Sequence, residues 1–247
     1  MKNIFVGIIL FLLSMPARSQ REAGTNLTDS ISPPVSGKKE LLFSDDFGKE
    51  LAAHWVTEME DKPGSTIYTD QQKLVLDTRG GVTVWLKQQL QGNIQIEYDR
   101  EIMVGGGKND RLSDMNQFWM AEDPRNENLF TRSGKLSDYD SLRLYYTGIG
   151  GNTNKTSRFR EYDGKGDRVL LGEHLDTPYL LQPNKLYHII IVVRYPGTSC
   201  WVDGRLYFSR RDPDLLREGY FGFRSTWSRQ EISHFRVYRL RGGRSGK

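Results

Sequence analysis

A period of two governs this chain. Apolar and β-forming residues alternate with polar ones in ELLFSDDF, KLVLDT, GVTVWLKQ, IQIEYDREIMV, NQFWMA, SLRLYYTG, TSRFREY, SCWVDGRLYFSR, YFGFRS and ISHFRVYRL. Such alternation marks strands, because successive side chains of a strand point to opposite faces. Gly80-Gly81, Gly105-Gly106-Gly107, Gly150-Gly151-Asn152 and Asp203-Gly204 punctuate the runs as turns. No stretch keeps a helical period, and at most a short helical turn is predicted near Lys49 to Ala53 or Asp214 to Arg217. Many short strands with turn punctuation point to an all-β, two-sheet antiparallel β-sandwich, a jelly roll that limits exposed edges. Within it CWVDGRLYF reads as a hairpin through its Asp-Gly turn. The run from His188 to Val193 reads as a central strand buried on both faces, and ELLFSDDF and ISHFRVYRL as adjacent strands.

The ends carry other signals. Lys2, the apolar run IFVGIILFLL and the small residues up to Ser19-Gln20 have the layout of a secretory signal peptide over residues 1–19, with an apolar run short for a membrane span. No cysteine follows it for a lipid anchor. The protein is therefore expected in the periplasm or secreted, without stable membrane insertion. Residues 20–39 are polar, contain Pro33-Pro34 and read as a flexible leader. Residues 40–241 suit one all-β domain, and 242–247 form a basic tail.

Cys200 is the single cysteine, which excludes an internal disulfide framework and suits a small buried hydrophobe. The net charge of +4 comes partly from Lys2, Arg18 and the tail, too modest an excess to point to nucleic acid. Arginines in the middle of the chain suit an acidic glycan instead, bound by a monomer.

Candidate site residues concentrate between Asn109 and Arg160, in NDRLSDMNQFWMAEDPR and RLYYTGIGGNTNKTSRFREY. Aromatic, amide, arginine and carboxylate side chains on strands form the kind of face that holds a hydroxyl-rich ligand. With Phe118 and Met120 directed inward, Gln117 and Trp119 face out. With Leu142, Leu144 and Tyr146 on the inner face, Arg143 and Tyr145 project outward, Tyr146 lying near the strand end. With Phe159 in the core, Arg158 and Arg160 lie on the side of Tyr145. The loop before this region offers Asp110, Arg111 and Asp114, either as ligand contacts or as a loop held by Asx turns and an Asp-Arg pair. Asn116, Asn152 and Asn154 complete the polar set.

A start of the form LFSDDF, a late WVDGRLYF hairpin, a GYFGFR strand and a closing FRVYRL resemble the concanavalin A-like lectin/glucanase jelly roll. The two runs quoted above are more narrowly similar to a family of exported bacterial proteins, of largely unassigned function, from polysaccharide-utilisation clusters. That resemblance implies carbohydrate-active chemistry, including oligosaccharide elimination and a dehydratase role in ulvan breakdown. With Phe221 and Phe223 buried, Arg224 and Trp227 project from the end of their strand, a region that borders the concave groove in the resembled jelly rolls, either as a cation and an indole binding an acidic sugar or as an ordinary rim Arg packed on Trp.

Three functions are compatible with these residues. The first is β-elimination on a uronate-containing glycan, as a lyase or a dehydratase. Its requirements are a fixed cation for the carboxylate, from Arg158 and Arg160, and an acid or base, from Tyr145 or Tyr146. The second is a glycoside hydrolase built on paired carboxylates, with Glu97, Asp99 and Glu101 on one strand face together with Asp114 or Glu161. The third is a glycan-binding protein without turnover, resting on Trp119. No His or Cys spacing fits a zinc site, and no cofactor is expected, although structural calcium needs no short motif. Of the histidines, His174 lies in a loop that can approach a ligand, His188 reads as structural and His234 faces outward.

Overall fold

The computed structural model describes Pro34 and residues 39–241. The segments expected to be the signal peptide and the basic tail, and all of the expected leader except Pro34 and Lys39, lie outside the described residues. The strands in chain order are β1 (Lys39–Asp45), β2 (Trp55–Met59), β3 (Thr66–Asp70), β4 (Lys73–Leu86), β5 (Leu90–Gln91), β6 (Ile94–Met103) and β7 (Met115–Glu122). They continue as β8 (Arg143–Gly150), β9 (Thr156–Asp163), β10 (Arg168–His174), β11 (Leu186–Arg194), β12 (Gly197–Val202), β13 (Arg205–Arg211) and β14 (Glu218–Leu240).

All pairings are antiparallel, in the order β10-β9-β8-β7-β14-β6-β11-β12-β13, and β14 also pairs with β1, β4 and β5. The long β14 is the spine. Its first half lies between β7 and β4, its second half along β6, so one strand serves both layers. The layers meet face to face through side chains. Phe159 of β9 packs on Phe208 of β13 with ring centroids 5.9 Å apart, and Trp119 Nε1 donates to Thr198 Oγ1 at 3.0 Å. Cys200 is fully buried in this core.

The terminal strands pair as expected, Lys39 opposite Leu240. Asp203 and Gly204 turn the β12–β13 hairpin with φ of 49° and 75°, the left-handed pair such a turn requires. Strand β11 is central, between β6 and β12, but its two faces differ: Ile189, Ile191 and Val193 are buried, while His188 is exposed. Of the two candidate helical turns, Leu51–Ala53 is a 3-10 turn, and residues 214–217 form no helix.

A second apolar cluster covers the opposite face of β7, β8 and β9. Phe118, Leu144, Tyr146 and Tyr162 pack there against Trp85 and against Leu129, Tyr139 and Leu142 of the segment 123–142. That segment is fastened by polar groups. The buried Glu58 carboxylate accepts from Trp85 Nε1 and Tyr139 Oη, both at 2.8 Å, and from the Arg132 amide at 2.6 Å. The Arg132 guanidinium forms an ion pair with Asp123 and donates to Leu129 O at 2.6 Å. Strand β7 is consequently buried on both faces, which has consequences for the site.

Candidate functional site

Two cross-strand rows define the face of the sheet turned away from the inter-sheet core. Thr83, Arg224, Asn116, Gly148 and Arg158 stand opposite one another from strand to strand, followed by Trp85, Gly222, Phe118, Tyr146 and Arg160. Beyond the covering segment this face opens into a cavity of about 310 Å³. Arg111, Asp114, Asn116, Tyr146, Asn152, Arg158 and Arg160 line it, together with Ser113, Thr153, Thr156, Thr226, Leu136 and the backbone of Gly148 and Gly151.

Its walls are built locally. Gly150, Asn152, Thr153 and Asn154 all have positive φ, between 54° and 72°, and this left-handed turn raises one wall. Asn154 anchors the turn by donating to Leu181 O at 2.9 Å and accepting from Leu181 N at 2.8 Å. The opposite wall, Arg111 to Asp114, is tied to the turn by Ser113 Oγ, which donates to Gly150 O at 3.1 Å. Arg111 spans to β14, donating to Thr226 O at 2.6 Å and Trp227 O at 2.9 Å while pairing with Asp114 Oδ2 at 2.8 Å.

The charges in the cavity do not balance. Three arginines line it and Asp114 is the one carboxylate. Arg158 pairs with Glu173 at 2.5 Å. Arg160 has no carboxylate partner among the described residues, and its guanidinium lies 6.0 Å from the centre of the Tyr146 ring. Behind the row, Arg224 does not project from the strand end as expected but is fully buried, also without a carboxylate partner among the described residues. It donates to Thr83 Oγ1 and Gly134 O, while its Nε and Nη2 find no partner. Asn116 Oδ1 is likewise buried and unpaired. Such groups are costly unless something compensates them.

Burial raises the Asp114 pKa, against the opposing charge of Arg111. Burial also raises that of Tyr146, with the charges of Tyr162 and Asp114 adding to it and Arg160 and Arg224 opposing. With its pKa raised above the ordinary phenol value, the group keeps its proton at neutral pH. No described residue hydrogen-bonds to it, so its O–H is available to a ligand.

Several expectations are corrected. Tyr145, not Tyr146, faces the inter-sheet core: its hydroxyl donates to Asp212 Oδ2 at 2.8 Å, and burial followed by Asp212 raises its pKa. Trp119 is buried beside it, stacked on Phe159 at 5.7 Å, so it offers no outward ring. Gln117 shares that interior. Phe118 and Met120 do not point the same way, because the pairing of β7 is irregular between Trp119 and Glu122 and Met120 has a φ of 52°. Arg143 is exposed and pairs with Glu122 at 2.7 Å, outside the cavity.

Asp110 serves its own loop. Although burial opposes it, the amides of Gly107 and Gly105 and the Arg229 guanidinium lower its pKa. Asn154 is the anchor described above. His174 is no loop contact: it stacks on Tyr179 at 3.7 Å and its Nε2 lies 2.7 Å from Tyr207 O. The carboxylates of β6 are elsewhere, Glu97 paired with Lys39 and Asp99 held 2.7 Å from His188 Nδ1 and 2.9 Å from His234 Nδ1. Neither these nor Glu161 lines the cavity.

The sequence reading missed Ser113, Gly148, Thr153, Thr156 and Thr226. Gly148 and Thr156 were within reach, since alternation places them on the faces of Tyr146 and Arg158; the other hydroxyls carry no comparable signal. Among the described residues no group of three or more His, Cys, Asp or Glu is arranged to hold a metal ion, and no helix is long and apolar enough to cross a membrane.

Solved structures share this architecture. A Bacillus subtilis protein of unknown function with a galectin-like fold is 17% identical, with a TM-score of 0.67 over 83% of this chain and 99% of that one. An endo-β-1,3-glucanase from Pyrococcus furiosus is 10% identical, with a TM-score of 0.60 over 85% and 98%. The carbohydrate-binding module CBM66 from Bacillus subtilis is 14% identical, with a TM-score of 0.52 over 74% and 94%. The chain is thus a concanavalin A-like jelly roll with an arginine-lined pocket on one sheet face. It belongs to the family described as domain of unknown function (DUF6250), whose model matches residues 76–235. No curated protein matches it.

Proposed function

We propose that the protein is an exported enzyme that takes one uronate unit of an oligosaccharide into this pocket and acts on it by β-elimination. One observation carries the reading: an unpartnered phenol, Tyr146, lies among cations that lack carboxylate partners, Arg160 in the wall and Arg224 beneath it. An anionic ligand supplies what those cations lack. Fixed guanidinium groups hold a planar carboxylate through paired N–H donors. The likeness in fold to a glucanase and a carbohydrate-binding module supports a sugar as the class of ligand.

Arg158 and Arg160 hold the uronate carboxylate, so that charge developing at C5 spreads into a neutralised group. Asp114, a carboxylate of raised pKa, takes the C5 proton. The C5–H electron pair becomes the C4–C5 double bond, the C4–O bond breaks, and its oxygen takes the Tyr146 proton. Proton exchange with solvent then restores both groups. With a glycosidic oxygen at C4 the step is that of a lyase; with a free hydroxyl it releases water, as in a dehydratase. A cavity of about 310 Å³ is at the small end of ligand pockets and suits a chain-end unit, which favours the dehydratase form. A hydrolase needs two carboxyl groups roughly 5 to 9.5 Å apart across the bond, and Asp114 is alone in the lining.

The test is product analysis with glucuronate-containing oligosaccharides, including ulvan fragments. Elimination yields an unsaturated, ultraviolet-absorbing product; new reducing ends without unsaturation identify a hydrolase, and saturable binding without any product identifies a binding protein.

A further inference from the structure

The pairing of β14 with β4 breaks at one point, and the break lies at the rim of the pocket. Thr226 stands opposite Gly81 and Ser228 opposite Thr78, so Trp227 alone faces Arg79 and Gly80. This is a bulge whose extra residue lies on β4, an irregularity that recurs beside functional sites. Trp227 adopts a φ of 52°, a strained conformation for so bulky a residue. The result is an indole that is 40% exposed on a strand where Ser225 and Ser228 on either side are buried.

Two guanidinium groups lie near that ring, Arg111 at 5.4 Å and Arg79 at 5.8 Å from its centre. Arg111 also lines the pocket, and Thr226, the residue before the indole, does too. The pocket and the ring are therefore contiguous. Arg79 is exposed and has no carboxylate partner among the described residues, while its amide is fixed by Ser65 Oγ at 3.0 Å. A flat apolar ring beside an available cation matches a sugar that presents one C–H face and an anionic substituent.

We propose that Trp227 and Arg79 form a second sugar subsite, and that the unit adjoining the one in the pocket stacks on the indole and is itself anionic. This rests on the reading of the pocket as a uronate site. The ligand is then an acidic oligosaccharide of at least two units, recognised across the rim.

Calorimetric titration of the full chain with glucuronate and with its di-, tri- and tetrasaccharides tests the assignment. Wild type should bind the disaccharide about tenfold more tightly than the monosaccharide. In Trp227→Ala that ratio should collapse towards one, with partial recovery in Trp227→Phe. In Arg79→Gln it should fall and lose its dependence on salt. A ratio that survives in Trp227→Ala, including an equal loss for both sugars, overturns the subsite and leaves the pocket standing. Absence of binding by wild type at every length removes both.

Discussion

The phenol of Tyr146 lies directly over Gly148, two residues along the same strand. A Cβ at position 148 would overlap Tyr146 Oη and come within 2.7 Å of Asn116 Oδ1. The missing side chain thus leaves room for both the Tyr146 hydroxyl and the Asn116 amide oxygen beside the strand. Gly148→Ala should displace the ring and lower uronate affinity at least as much as removing the hydroxyl. Overpacking of this kind costs about 1–3 kcal/mol of stability. Calorimetry with glucuronate oligosaccharides, together with a thermal melt, reads both effects; undiminished affinity would mean that the phenol takes no part in binding.

Arg160 should behave as a ligand-binding cation and not as a structural one. It has no carboxylate partner among the described residues, so Arg160→Ala should leave the thermal midpoint nearly unchanged. A hydrogen bond to a charged group contributes roughly 1.5–3 kcal/mol, so affinity for an acidic sugar should fall about 10- to 100-fold, and its salt dependence should weaken. A large loss of stability with unchanged binding would place Arg160 among the groups that hold the fold.

The pH dependence follows from Asp114. Burial raises its pKa above the ordinary aspartate value of 3.8, against the charge of Arg111. The folded chain then binds that proton more tightly than the unfolded chain does, so the contribution of Asp114 to stability falls as pH rises from 3.8 through the raised value. The thermal midpoint of wild type minus that of Asp114→Asn should decline over this interval and level off above it. As the base, Asp114 must be ionised, so the acid limb of kcat/KM should lie above the range of an exposed aspartate. A midpoint difference that rises with pH would show that the pull of Arg111 outweighs burial.

Alternation along β8 and β9 correctly placed Arg158 with Arg160 and separated Tyr145 from Tyr146, but it did not say which face was which. The leucines misled because both faces are apolar: Leu142 and Leu144 belong to the cluster under residues 123–142, not to the inter-sheet core. Assigning Leu144 to the core face therefore exchanged the two tyrosines. Pairing register settles it, since Tyr146 stands opposite Arg160, and Tyr145 opposite Glu161. No local pattern announces the covering segment, because Glu58 and Arg132 fasten it from 74 positions apart. The jelly roll was legible for the opposite reason: its Asp-Gly hairpin is local and its strand periods follow from alternation. The loop residues Arg111, Asp114 and Asn152 were found because polar residues beside glycine turns carry their own signal. Trp119 was misplaced because β7 is buried on both faces.

The two tyrosines also provide the most direct test of the central claim. Formation of unsaturated product from glucuronate oligosaccharides should be measured for wild type, Tyr146→Phe and Tyr145→Phe, each with its thermal midpoint. Tyr146→Phe should fold as wild type does and lose about 100-fold or more in rate, as expected when a general acid is removed. Tyr145→Phe removes one donor of buried Asp212, which keeps the Asp214 amide at 2.9 Å and Arg210 at 3.5 Å; the loss costs about 1 kcal/mol, and the folded enzyme should still turn over. Product formation that survives in Tyr146→Phe and is lost in folded Tyr145→Phe would contradict the account, as would the absence of unsaturated product from wild type.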